Sequence, residues 1–227
     1  MASSDNPGAR NGRHTRDDVA EAALRILDDH GLPDLTMRRL AAALDVQPSA
    51  LYWHFPNKQT LLAELADRIA DRARPRPDPD ADWAALARAE AFGLRDALLA
   101  YRDGAEVVSS SFALGLGAST PLTRLRAALE RGFDAATSAR AAAALLHFVL
   151  GHVSHEQQRL QYDSLGVVTA PDPAVADTGA DTAEAFAFGV DLLLEGLSHT
   201  TPASADPTPA PVPTSADPSF STASAPE

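Results

Sequence analysis

Apolar residues return every three or four positions through most of the first 199 residues, the period of amphipathic helices, and no stretch reads convincingly as a strand. Val19, Ala22, Ala23, Ile26 and Leu27 form one stripe, entered through Thr15 with Asp17 and Asp18 in the first turn and closed by Gly31. Thr36 caps a second helix, with Met37, Leu40, Ala41 and Leu44 on its apolar side and Arg38 and Arg39 on the other. Asp45-Val46 is a turn. Gln47-Pro48 then opens a third helix, because the missing N–H of proline costs nothing at the first helical position. Leu51 and Phe55 lie one turn apart to pack this helix down, and Pro48, Ser49, Ala50, Tyr52 and His54 occupy its other face. Asn57 caps a long helix from Lys58 to about Arg74.

Prolines at 75, 77 and 79 forbid continued helix and mark the start of a second domain. Trp83 to Tyr101 reads as a helix with Leu86, Ala89, Leu94, Ala97 and Leu98 on its apolar side. Residues 104 to 121 are less regular, with a short helix over Ala105 to Ser111. Helices follow over Leu122 to Arg131 and Ala135 to Tyr162, then a loop over Gly166 to Gly179. The segment Asp181 to Ser198 is apolar on nearly all sides, so it requires burial in a larger assembly. The plan is all-α: a flexible arm over 1–13, a three-helix helix-turn-helix unit with connecting helix over 14–74, a helical domain over 75–199, and a Pro/Ala/Ser/Thr-rich tail over 200–227 that is expected to be disordered. No internal repeat interrupts it.

Two short helices, a tight turn and the start of a third are the layout of a DNA-reading helix-turn-helix. Small and hydroxyl-bearing side chains at 48 to 54 let a helix enter a major groove roughly 12 Å wide, where Ser, Tyr and His donate to bases or phosphates. Lys58, the only lysine in the chain, joins a helix N-terminus to make a phosphate clamp. The net charge of -12 argues against nucleic acid, but its distribution weakens the objection. Residues 1–74 hold 10 Lys/Arg against 11 Asp/Glu, residues 75–199 hold 9 against 17, and the tail holds none against 3. Arg10, Arg13, His14 and Arg16 cluster ahead of the first helix, where they make a basic patch. The absence of cysteine rules out disulfides, thiol catalysis and thiolate metal sites. No window approaches 18 consecutive apolar residues and the N-terminus lacks a hydrophobic signal region, so a cytoplasmic protein without a membrane partner is expected.

The run LTMRRLAAALDVQPSALYWHFPNKQTLL over 35–62 resembles the DNA-binding domain of the TetR (tetracycline-repressor) family, and its YWH form is most similar to the tetracycline-repressor branch. LLAYRDGAEV over 98–107, Gly132-Phe133 and HFVLGHVSHEQ over 147–157 resemble further segments of that branch. The resemblance implies a bacterial homodimeric regulator that binds a double-stranded DNA operator and a small-molecule effector, with the C-terminal domain serving ligand binding and dimerisation. It carries operator contacts onto Met37, Arg38, Pro48, Ser49, Ala50, Tyr52, His54 and Lys58. Tetracycline repressors usually carry glutamine, proline and threonine where this chain has Pro48, Ser49 and Ala50, which implies a different operator. The histidine and glutamate that contact drug-bound magnesium align with Val108 and His155, the asparagine and phenylalanine that hold the drug with Glu90 and Leu94, and an arginine-proline pair with Phe112 and Ala113. A chelated tetracycline is therefore not the expected effector, and neither a metal nor another cofactor is expected.

The ligand-binding candidates are Glu90, Leu94, Val108, Phe112, His147, Phe148, His152 and His155. His152, His155 and Glu156 lie at one-turn spacing, so a metal site, a ligand pocket and ordinary interface histidines all remain open. Leu94, Leu98, Val107, Val108, Phe112, Leu116, Leu125, Leu129, Phe148 and Val149 are primarily core. No catalytic set is evident. The rivals to a ligand-responsive repressor are an enzyme built on His152 and Glu156, a helical protein-binding adaptor without sequence-specific DNA binding, and an activator of the same family. The sequence leaves open the effector, the operator, and whether the histidines near 147–155 line a pocket or only pack.

Overall fold

The computed structural model describes residues 14–73, 75, 78, 80–117, 119–164 and 182–200, which contain helices and no strand. In chain order these are α1 Arg16–His30, α2 Met37–Ala43, α3 Pro48–Leu51, α4 Lys58–Asp71, α5 Trp83–Leu99, α6 Gly104–Ala113, α7 Ser119–Leu129, α8 Ala135–Ser164 and α9 Thr182–Ser198. The expected arm over 1–13, the loop over 166–179 and the tail beyond Thr200 lie outside the described residues.

Helix starts follow the capping chemistry. Thr15 accepts from Asp18 N while the Asp18 carboxylate accepts from Thr15 N at 2.7 Å, a reciprocal cap that satisfies two otherwise orphaned donors. Thr36 accepts from Arg39 N at 3.1 Å, Asn57 from Thr60 N at 2.8 Å and Asp82 from Ala85 N at 2.8 Å. Gly31 closes α1 at φ 84°, which an L side chain would adopt only with strain.

Several boundaries differ from expectation. Helix α4 stops at Asp71 rather than near Arg74, because Arg72 and Ala73 N–H groups turn back to Ile69 and Ala70 carbonyls and Pro75 follows. Helix α6 extends beyond Ala105–Ser111 at both ends. Helix α7 begins at Ser119, ahead of Leu122, since Pro121 is tolerated in a first turn. The buried stripe of α5 is Ala87, Ala91, Leu94, Ala97 and Leu98, so Leu86 and Ala89 flank it rather than form it. Leu116 is 47% exposed, not core: Gly115 at φ 64° turns the chain out of α6, and Gly117 lies so close to α4 that a Cβ would sit 2.9 Å from Ala63 O.

Buried apolar side chains from Val19 to Leu194 form one continuous cluster. Helix α4 packs on α1 and also on α5, α6 and α7, while α8 packs on α5, α6, α7 and α9. Helix α4 is thus the element shared by both groups of helices.

Candidate functional site

The segment over 36–58 is built from below. Leu40, Ala41, Leu51 and Phe55 are buried, and Met37, Leu44 and Val46 pack against them. Asp45 makes the bend between α2 and α3 in the left-handed region at φ 54°, which a short polar side chain tolerates. Pro48 is the first residue of α3, and His54 and Phe55 N–H groups both return to Leu51 O at 2.9 Å, closing the segment in a turn. With Leu51 and Phe55 facing inward, Pro48, Ser49, Ala50 and Tyr52 are exposed and His54 is half-buried.

The cations around this face divide into two sets. Arg39 is neutralised by Asp34 at 2.6 Å, whereas Arg38 is exposed and has no carboxylate partner among the described residues. Lys58 is half-buried at the start of α4 and is likewise unpaired among them. Of the basic cluster expected ahead of α1, Arg10 and Arg13 lie outside the described residues. His14 Nε2 meets Leu44 O at 3.0 Å, and Arg16 is engaged by Glu64 at 2.8 Å, so neither described member projects as an open charge. Of the eight expected DNA-facing residues, Arg38, Pro48, Ser49, Ala50 and Tyr52 are exposed and Met37, His54 and Lys58 are half-buried, with Met37 packed against the core; Trp53, 90% exposed beside Tyr52, joins them. A fully solvated tryptophan costs apolar hydration without a partner, and that exposure is its only signal.

The eight ligand-binding candidates fall in separate places. Leu94 and Val108 are sealed in the core. Phe112 meets the exposed His147 edge-on at 6.0 Å. Phe148 stacks on Phe186 at 5.7 Å, beside His152, whose Nε2 lies 3.1 Å from Thr182 O. His155 is exposed one turn further along the same helix. Glu156 does not join the histidines: it is buried, paired with Arg95 at 2.8 Å, and accepts from the Thr182 hydroxyl at 2.9 Å. Its carboxylate is thus spent on holding α5, α8 and α9 together, and no group of three metal-ligating side chains occurs among the described residues. Glu90 is half-buried on α5, and burial pushes its carboxyl above the usual range despite the opposing field of Arg124.

Two further features were not legible in the sequence. Arg124 on α7 donates to Ala73 O, tying α7 to the end of α4. Gln157 is buried on α8, where its amide donates to Leu98 O at 3.0 Å and Tyr101 O at 2.8 Å while its carbonyl accepts from Ala105 N at 3.2 Å. It satisfies the backbone of the turn that joins α5 to α6. On the opposite side, Leu129, Ala141, Leu145, Leu193 and Leu197 line an apolar groove between α8 and α9.

Residues 19–65 match the family model for bacterial regulatory proteins of the tetR family, and residues 76–201 match the model for the tetracyclin repressor-like C-terminal domain. The tetracycline repressor protein class E of Escherichia coli is 33% identical over 195 residues, covering 82% of this chain and 92% of that protein. The crystal structure of Mycobacterium smegmatis BioQ is similar at TM-score 0.71 and 43% identity, covering 82% of this chain and 98% of that one. A structure of BioQ with its double-stranded DNA operator is similar at TM-score 0.69 and 40% identity, covering 82% and 99%.

Proposed function

The chain belongs to the tetR family of bacterial regulatory proteins and is a DNA-binding transcriptional regulator, and from that premise we propose that it works in the cytoplasm as a homodimeric repressor released from its operator by a small molecule. The observation that carries this reading is the exposed face of Pro48, Ser49, Ala50 and Tyr52 above the buried anchors Leu51 and Phe55. On this reading residues 14–74 form the DNA-binding domain and 75–199 the ligand-binding and dimerisation domain. Arg38 and Ser49 meet base edges with Met37, Pro48 and Ala50 beside them, while Tyr52, His54 and Lys58 hold phosphates. Two copies of α3, about 34 to 36 Å apart across a two-fold axis, would read the halves of a pseudo-palindrome.

Dimerisation is assigned to α8 and α9. Phe188 and Leu192 are 70% and 60% exposed on α9, next to the apolar groove, and a second copy of the same face would bury them as a four-helix bundle. The effector is assigned to the helical domain, with the half-buried Glu90 and Phe112 as its first contacts, the sealed Leu94 and Val108 reached only when the core opens, and His147, Phe148, His152 and His155 bordering it. Such a site favours a largely apolar molecule, neutral or cationic and without a metal, because Glu90 is the only ionisable member of the first group. Effector binding would move α6 and so α4, against which it packs, spoiling the spacing of the two α3 segments.

The test is selection of binding sites from a random duplex pool by the full chain, followed by release assays with lipophilic amines, neutral hydrophobes and magnesium-tetracycline. A pseudo-palindromic consensus released by an apolar compound is the expected result. No enrichment at low salt would reject sequence-specific binding, and release by magnesium-tetracycline at micromolar levels would reject the metal-free effector.

A further inference from the structure

Arg16 begins α1 next to the segment expected to face DNA, and although its side chain is 54% exposed its guanidinium is engaged within the protein. Nε and one terminal nitrogen donate to the same Glu64 oxygen at 3.1 and 2.8 Å. The other terminal nitrogen donates to His54 O at 3.0 Å, and the guanidinium carbon sits 4.3 Å from the centre of the buried Phe55 ring. The second Glu64 oxygen accepts from Arg68 Nε at 2.9 Å, and Arg68 also donates to Asp17. The four charges form a neutral chain between α1 and α4. Burial opposes ionisation of Glu64, but the Arg16 and Arg68 hydrogen bonds outweigh it and hold the carboxyl below its usual range.

Helix α3 is four residues long, too short to hold its own orientation. Leu51 and Phe55 fix its depth but, as apolar contacts, define its rotation weakly. Among the described residues, the Arg16 bond to His54 O is the one side-chain hydrogen bond that reaches α3 and its closing turn from another element. A planar guanidinium with donors on two edges is suited to this, since it can satisfy a carboxylate and a carbonyl at once. We propose that Arg16 is a positioning residue for operator recognition: held by Glu64, it sets through His54 O and the Phe55 ring the angle at which α3 presents Ser49 and Tyr52, and it takes no phosphate itself. This deepens the reading of α3 as the DNA-facing segment and rests on it.

Titrations of the full-length protein and its Arg16→Gln, Arg16→Lys and Glu64→Gln variants separate this role from a phosphate contact. Each is measured against the selected operator and a scrambled duplex at several salt concentrations, below the melting temperature found by circular dichroism. Arg16→Gln is expected to weaken operator binding by about tenfold or more, as for loss of a charged hydrogen bond, with scrambled-duplex affinity and salt slope unchanged. Arg16→Lys keeps the charge but not the two-edged donor set, and should lose most of the same preference; Glu64→Gln should shift it in the same direction. If the Gln variant does not fold, the Lys and Glu64 variants carry the test. A salt slope that falls by about 0.9 in the Gln variant, with full recovery in the Lys variant, would overturn the proposal in favour of a phosphate contact. Undiminished operator preference in all three variants would overturn it as well. If the unaltered protein shows no preference between the duplexes, the DNA-facing assignment of α3 fails and takes this inference with it.

Discussion

The Asp103 carboxylate accepts the backbone N–H of Leu32 at 2.7 Å, joining the turn before α6 to the α1–α2 connection 71 residues earlier in the chain. Its other oxygen accepts from the Gln161 amide of α8, and the residue itself sits in the left-handed region at φ 55°. One side chain thus ties the α1–α2 loop to α6 and α8, and an effector that moves α6 would pull on it. Asp103→Ala should lower stability by about 1–3 kcal/mol through the unsatisfied Leu32 N–H and by roughly a further 1 kcal/mol through left-handed strain. Asp103→Gly loses the same acceptor but relieves the strain, which outweighs the added entropy of the unfolded chain, so it should melt above Asp103→Ala. Equal melting temperatures for the two variants would contradict it.

DNA contacts should sort by their salt dependence. Lys58→Ala should weaken binding to all duplexes and lower the salt slope by about 0.9 for the phosphate it releases. Changes at Arg38 or Ser49 should cost about 1–3 kcal/mol and relax preference at particular base pairs. Competition binding on single-base variants of the operator checks this, and a uniform loss from both classes of change would remove the base-reading role.

Glu90 should be a stability liability at neutral pH. Its carboxyl is raised by burial, with Arg124 only partly compensating, so the folded state holds its proton more tightly than the unfolded chain. The penalty is therefore full above the folded value and is relieved as the pH falls through it towards the unfolded value. Glu90→Gln should raise the melting temperature at pH 7, and the gain should vanish in acid. A lower melting temperature for the Gln variant at pH 7 would show that the carboxylate is needed for packing.

Glu64 should behave oppositely. Its carboxyl is lowered because the Arg16 and Arg68 hydrogen bonds outweigh burial, so the stability it contributes is complete above the ordinary glutamate range and is lost as the pH falls through the folded value. Glu64→Gln should destabilise the protein at pH 7, and the deficit should close in acid. A deficit independent of pH would mean that the charge is not involved.

Leu193→Asp puts a charge at the edge of the apolar groove, where it would be buried in the assigned dimer. Sedimentation at micromolar concentration should show a dimer for the unaltered protein and a folded monomer or unfolded chain for the variant. A monomer in both would reject α8 and α9 as the dimer interface.

Features decided within a few residues were legible along the chain alone. Thr15, Thr36 and Asn57 are caps because their donors lie three residues on, and Leu51 and Phe55 face inward because a helical period puts both on one side. That was enough for an all-helical chain, the exposed face at 48 to 52 and the family resemblance. Tertiary structure decided what each charged group meets. Arg16 looked like an open cation until Glu64, 48 residues away, was found to hold it, and Glu156 looked available to a metal until Arg95 and Thr182 took it. Leu116 left the core, and the ligand candidates separated, because spacing along one helix specifies a side but not the neighbour that covers it. A charge is free or neutralised, and a side chain buried or wet, only in relation to partners distant in sequence, whereas caps and turns are settled by contacts a few residues long.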